Sequence, residues 1–181
     1  MIEPGEIDEP VKLAPYNERW PAQFESEKSR IALALGAIAR AIEHIGSTAV
    51  PGMTAKPVVD IQAGFEEKYQ SEKWFAALAP LGYQSLGEAG VPGRWYFRKR
   101  TGAGNFNLHA VRFAGAHWRN NLLIRDYLRL NPLCAAEYAA AKQRALESSC
   151  MLIGYSDAKS ASIAAMIRRA ADHFNSTTIV R

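Results

Sequence analysis

Near the start of the chain the apolar residues recur at helical spacing. Trp20, Phe24, Ile31, Leu35 and Ile38 fall near one face, behind Asn17, which can cap a helix carrying Pro21 in its first turn. Gly36 breaks this pattern, and residues 39–46 switch to a strand. Residues 57–65 predict a second strand opened by Pro57, where a missing N–H is tolerated. A helix follows over 70–81, stopped by Gly82. Two further strands, 94–100 and 105–113, flank Thr101-Gly102-Ala103-Gly104, a Gly-bearing hairpin loop. In the first, Arg94, Tyr96 and Arg98 share a face opposite Trp95, Phe97 and Lys99; in the second, Asn107, His109 and Val111 share a face. Beyond residue 114 the pattern is helical. Helices are predicted over 115–130, over 132–148 with Asn131 as cap and Pro132 at the first position, and from a Ser156 cap to about 173.

These elements predict an α/β (α+β) fold, a mixed sheet flanked by helices with a helical C-terminal region. Residues 10–175 are expected to form a single domain, 10–113 its α/β core and 114–175 its helical part. Residues 1–9 carry Glu3, Glu6, Asp8 and Glu9 and no base, and they read as a flexible acidic tail. No apolar run reaches the length of a membrane span, and the N-terminus lacks the apolar stretch of a signal peptide. Cys134 and Cys150 lie in helical surroundings, where buried thiols are expected. Together these features predict a cytoplasmic protein with no membrane partner and no zinc site.

The net charge is +4, but its distribution changes the picture. No acid occurs between Glu88 and Asp126, while Arg94, Arg98, Lys99, Arg100, Arg112, Arg119 and Arg125 all fall there. Such a window predicts an anionic partner or a solvated basic face.

The candidate chemistry concentrates in residues 43–65, EHIGSTAVPGMTAKPVVDIQAGF. A short strand ends in Gly46-Ser47-Thr48. A loop with Lys56 follows, then a strand bearing Asp60. Glycine lets the backbone approach a phosphate, and the N–H groups of Ser47 and Thr48 point at an anion if they open a helical turn. An acid in the middle of an apolar strand calls for a cleft, a metal or a cation. The simpler alternative is a capped tight turn, with Asp60 paired across the sheet. Lys56, four residues before Asp60, can neutralise a phosphate or pair with that acid.

The Gly-Ser pair followed by a strand acid resembles the nucleotidyltransferase superfamily, and more narrowly its GrpB-like branch. The resemblance runs along most of the chain: Pro15-Tyr16, Trp20-Pro21, His44 to Gly52, Ala55-Lys56-Pro57, Asp60, Gly82-Tyr83, Asn107-Leu108-His109, Arg125 to Arg129, Pro132, Tyr138, Lys142, Tyr155 and Lys159. It implies a nucleotidyltransferase-like fold that binds a nucleotide or other phosphorylated small molecule and transfers a nucleotidyl group with Mg²⁺. By that resemblance Asp60 is the Mg²⁺ ligand, Asp60 and His109 are the catalytic candidates, and Gly46, Ser47, Thr48 and Lys56 hold phosphate. Asn107 or His109 stands where the superfamily places a third acid. One departure is plain: the second acid, expected at position 62, is Gln62. Sharing a face with Asp60, its amide would hold a cation less tightly than a carboxylate.

Arg94 and Arg98, on one strand face, are candidates to clamp a phosphate, with Tyr96 between them. Arg125 and Arg129 lie four apart on a helix and repel unless an acid or anion sits between them. His44 reads as structural, as do the tyrosines and lysines of the last two helices. Two other functions remain open from sequence. One is a non-catalytic nucleotide- or anion-binding module acting with a coenzyme A biosynthesis partner, since related domains occur fused to dephospho-coenzyme A kinases. The other is an RNA-associated basic protein; nucleic acid ranks last, because no RNA-binding motif is present.

Overall fold

Two faces of one sheet organise the molecule, and residue periodicity decides which side chain goes to which. The computed structural model describes residues 8–66 and 71–178. Helix α1 (Trp20–Leu35) ends at Gly36, whose φ of 51° suits a residue without a Cβ. Strand β1 (Ala41–Ile45) leads through a 3₁₀ turn (Ser47–Ala49) towards β2 (Val59–Phe65). Helix α2 (Ser71–Leu78) passes through a second 3₁₀ turn to Gly82, as expected for its stop. A two-residue strand β3 (Gln84–Ser85), not predicted from the sequence, precedes β4 (Arg94–Thr101) and β5 (Gly104–Arg112). Helices α3 (Ala116–Leu130), α4 (Pro132–Ser148) and α5 (Leu152–Thr178) complete the chain. No helix among the described residues is long and apolar enough to cross a membrane.

The sheet order is β1-β2-β5-β4-β3, with β2 and β5 parallel and the other neighbours antiparallel. It is the mixed α/β sheet that the sequence predicts. On one face Ile61 and Ala63 of β2, Leu108 and Ala110 of β5 and Phe97 of β4 are buried with Trp20, Phe24, Ile31 and Leu35 of α1 and Trp74 and Leu78 of α2. Each fully buried side chain of this size contributes about 1.5–3 kcal/mol. Lys99 lies on this face too, and its Nζ meets Glu27 of α1 at 2.8 Å in a buried pair.

The register puts Asp60 opposite Asn107, and Gln62 and Tyr96 opposite His109, so these residues share the other face. Helix α3 is laid against it. Gly64 permits this, since a Cβ there would come within 2.8 Å of the Trp118 ring. A second core of Val50, Met53, Tyr127, Leu128, Tyr138, Met166 and Ala170 joins α3, α4 and α5.

Several local expectations are corrected. Helix α5 begins at Leu152, four residues before Ser156, and its entry is capped from a distance: Asp8 Oδ1 accepts the Ile153 N–H at 2.9 Å. Asn131 stands at the cap position of α4, as expected, but its side chain makes no capping bond; its Nδ2 donates to the Tyr127 carbonyl and closes α3 instead. Cys150 is exposed, because it sits in the α4–α5 connection, where its carbonyl accepts from Val11; Cys134 is buried. Glu9, assigned from sequence to a flexible tail, is held by Arg100 at 2.6 Å, Lys56 at 3.5 Å and Arg98 at 3.6 Å. Residues 1–7 of that tail lie outside the described residues.

Candidate functional site

A cavity of about 760 Å³ opens between the polar sheet face, the Ser47–Ala49 turn and helices α3, α4 and α5. Gly46, Ser47, Thr48, Lys56, Asp60, Arg94 and His109 line it, so seven of the eight residues singled out from the sequence are brought together. Arg98 is the exception. It points to the same sheet face but lies further along the strand, on the Glu9 cluster, with a guanidinium nitrogen 3.6 Å from that carboxylate.

Asp60 is the centre of this arrangement. Asn107 donates to its Oδ1 at 2.7 Å, and His109 Nε2 stands 3.6 Å from the same oxygen. Burial alone would raise its pKa, but His109, Lys56 and Asn107 together hold the carboxyl far below the usual carboxylate range. Gly46 has φ 71°, and a Cβ there would lie 2.7 Å from Asp60 Oδ2. The glycine is thus required by the acid itself, which is folded onto the turn. The sequence assigned it to the approach of a ligand phosphate.

Thr48 has a structural role beside its backbone N–H. Its side chain is turned inward, and its hydroxyl bonds His44 Nε2 at 3.0 Å. His44 stacks on Phe24, ring centroids 4.7 Å apart, and burial, then Arg129 and Arg125, lower its pKa to about 4 despite the pull of Asp60. It is a neutral structural histidine, as expected. Ser47 is half-buried at the cavity rim. Ala49 and Val50 donate the first bonds of the turn, which leaves the Ser47 and Thr48 N–H groups at its open end.

His109 is held neutral by burial and by Arg94. Arg94 can only donate, and its guanidinium lies 3.5 Å from His109 Nδ1, so the ring proton belongs on Nε2. Nε2 is buried and has no hydrogen-bond partner among the described residues. Arg94 itself donates to the Glu88 and Ala89 carbonyls at 3.1 and 3.0 Å and lies 4.9 Å from the Tyr96 ring centre.

Gln62 is not a weakened cation ligand. It is fully buried; its Nε2 donates to the Trp118 carbonyl at 3.3 Å, and its Oε1 accepts from Asn121 at 2.6 Å. Both ends of the amide are used to fasten α3 to the sheet. Among the described residues no group of three His, Cys, Asp or Glu is clustered to hold a metal. With Gln62 consumed, the residues present do not fit a resident two-carboxylate Mg²⁺ centre.

The sequence missed the lysines. Lys142 of α4 is 2% exposed, donates to the Thr54 carbonyl and lies 5.4 Å from the Tyr138 ring centre. Lys159 of α5 stands 4.6 Å from the Tyr155 ring centre. All four residues line the cavity. Burial, then Lys159, lower Lys142 to about 7, and burial and Lys56 lower Lys159 to about 8, with Asp60 opposing both shifts. They pack on the tyrosines, and do so around the cavity rather than on the outer surface. The available signal was the repeated Tyr-x-x-x-Lys spacing, which puts each lysine over the tyrosine one turn before it.

The acid-free basic window does not form one surface. Lys99 is buried on Glu27, Arg100 is held by Glu9, Arg125 is held by Glu43, and Arg94 faces the cavity.

Comparison with known proteins agrees with this architecture. The model of the family described as GrpB protein matches residues 10–169. UPF0157 protein YqkA of Bacillus subtilis (strain 168) is 36% identical over 134 residues, covering 74% of this chain and 39% of the relative. A dephospho-CoA kinase of Mycolicibacterium paratuberculosis is 29% identical over 163 residues, covering 75% of this chain and 40% of the kinase. The chain therefore spans about two fifths of the length of either relative. The crystal structure of the conserved protein GrpB from Enterococcus faecalis superposes with a TM-score of 0.77 at 29% identity, covering 90% of this chain and 99% of that one. The Cid1 poly(U) polymerase with Mg 3'-dATP bound superposes with a TM-score of 0.50 at 16% identity, covering 80% of this chain and 49% of that one, a likeness of fold alone.

Proposed function

The chain belongs to the GrpB family and has a nucleotidyltransferase-like fold, and from that premise we propose that its cavity binds a nucleotide or other phosphorylated small molecule. The observation that carries this reading is the charge on the cavity wall. Arg94, Lys142 and Lys159 line it, and the partners they meet are neutral, namely carbonyls and aromatic rings. Asp60 is the carboxylate buried among them. Cations gathered in a low-dielectric cleft favour a polyanion. The open end of the Ser47 turn offers N–H donors on the same side.

Transfer of a nucleotidyl group is the reaction to test for in this cleft. With its proton on Nε2 and Arg94 on Nδ1, His109 acts in this cleft as a donor beside Asp60 rather than as a base. The chain offers no second carboxylate at position 62, so Mg²⁺ would enter on the ligand's phosphates with Asp60 as its one carboxylate.

The match to a dephospho-CoA kinase supports a second reading. There the domain binds a phosphorylated ligand without turnover and serves an attached or partner kinase. A thermal-shift screen of nucleotides and coenzyme A precursors, with and without Mg²⁺, separates the two. Stabilisation with Mg²⁺-dependent turnover supports the transferase; stabilisation without turnover supports the accessory module; no stabilisation by any of them removes both.

A further inference from the structure

We propose that Arg125 and Arg129 are positioning residues that hold the Ser47–Ala49 turn in its anion-accepting shape from behind. The proposal rests on the reading of that turn as a phosphate site. Helix α3 touches the sheet and the turn along one stripe. Trp118 and Asn121 engage Gln62 of β2. One turn further on, Arg125 donates to the His44 carbonyl at 3.1 Å and to Glu43 Oε2 at 2.8 Å. A further turn on, Arg129 Nε donates to the Ala49 carbonyl at 2.8 Å. Positions 118, 121, 125 and 129 recur at helical spacing and therefore face the same way.

The two arginines bracket the turn. One binds the carbonyl two residues before Gly46; the other binds the carbonyl of the turn's last residue. Gly46, with φ 71°, reverses the chain between them. A glycine in that conformation is the flexible point of the segment, and a short 3₁₀ turn has little stability of its own. Tying down the carbonyls on both sides fixes the direction of the Ser47 and Thr48 N–H groups. The like-charge repulsion expected of the two arginines is relieved by Asp126, which accepts from Arg125 at 2.7 and 3.2 Å and lies 3.8 Å from Arg129. The Arg-Asp-Tyr-Leu-Arg motif clamps the protein's own backbone with one bond from each arginine, and the other Arg125 donors go to Glu43 and Asp126.

Arg129 gives the cleaner test, since its side chain is 41% exposed while that of Arg125 is 12% exposed and its removal endangers folding. Amide hydrogen exchange at Ala49 and Val50, the hydrogen-bonded amides of the turn, is compared between the ligand-free Arg129→Gln protein and wild type at matched global stability. Faster exchange confined to this turn, with partial recovery in Arg129→Lys, is expected. ATP affinity should fall about tenfold in parallel, the scale of a displaced charge-assisted hydrogen bond. Unchanged exchange at the turn overturns the proposal whatever the affinity does. Faster exchange with no ATP binding by the wild type keeps the clamp and removes the phosphate-site reading instead.

Discussion

The two faces of the sheet solve the same problem in opposite ways. The face toward α1 and α2 excludes water with aromatic and aliphatic side chains; its buried charge is matched, Lys99 meeting Glu27, and its neutral His44 meets Thr48. The face toward α3, α4 and α5 is built on Asp60, Gln62, Asn107, His109 and Arg94, and with Lys142 and Lys159 of the helices the cavity gathers three cations around this one buried acid. Each face has a buried histidine with a lowered pKa, yet His44 rests on a neutral hydroxyl while His109 Nε2 stands 3.6 Å from the Asp60 carboxylate. A matched set closes a core, whereas an unmatched one leaves a place for a ligand. That difference, more than any single residue, marks the cavity as the functional side.

Breaking the match on the apolar face should have the largest effect on folding. Lys99→Ala leaves the buried Glu27 with Arg30 alone, 3.7 Å from its Oε2, and stability in urea should fall by up to about 3–5 kcal/mol. The double variant Glu27→Leu with Lys99→Met should regain most of that loss. A loss below about 1 kcal/mol in the single variant would show that water reaches this pair.

On the other face Gln62→Asp probes the fastening of α3. It replaces a fully paired amide with a carboxylate facing the Trp118 carbonyl, so a loss of roughly 3 kcal/mol is expected. Mg²⁺ should not restore the stability. Restoration by millimolar Mg²⁺ would mean that position 62 faces a cation site after all.

A smaller effect follows from His44. Its pKa is lowered from 6.5 to about 4, so below pH 6.5 the unfolded chain takes up a proton that the native protein refuses. The stability it contributes is complete above pH 6.5 and declines towards pH 4, by up to about 1.4 kcal/mol per pH unit. His44→Gln, which can still bond Thr48, should flatten the pH dependence of urea unfolding in that window. An identical slope in the variant assigns the acid sensitivity to other groups.

Much of the fold was legible because each strand alternates cleanly. The opposition of Arg94, Tyr96 and Arg98 to Trp95, Phe97 and Lys99 follows from period two alone, and the register confirms it. The joining of Asp60, His109 and the Ser47 turn was legible through family resemblance and strand order. What the sequence hid are contacts between distant segments. Nothing local reveals that Asp8 caps α5, that Glu9 collects three cations or that Gln62 is consumed by α3. Lys142 and Lys159 look like surface groups on Ala- and Ser-rich helices until those helices close over the sheet. The reason for Gly46 was misjudged likewise, since Asp60 approaches it from fourteen residues away.

The most direct test of the anion-binding cleft is calorimetric titration of ATP into three proteins: wild type, Lys159→Met, and the Glu27→Leu/Lys99→Met double variant of the opposite face. Lys142 and Lys159, with pKa values of about 7 and 8, should be fully protonated by bound phosphate, so binding at pH 8 takes up protons and its heat varies with the buffer. Wild type and the double variant should bind alike, and Lys159→Met should bind about tenfold more weakly with less proton uptake. Equal binding by wild type and Lys159→Met, or none by wild type, would contradict the assignment of this face to a phosphorylated ligand.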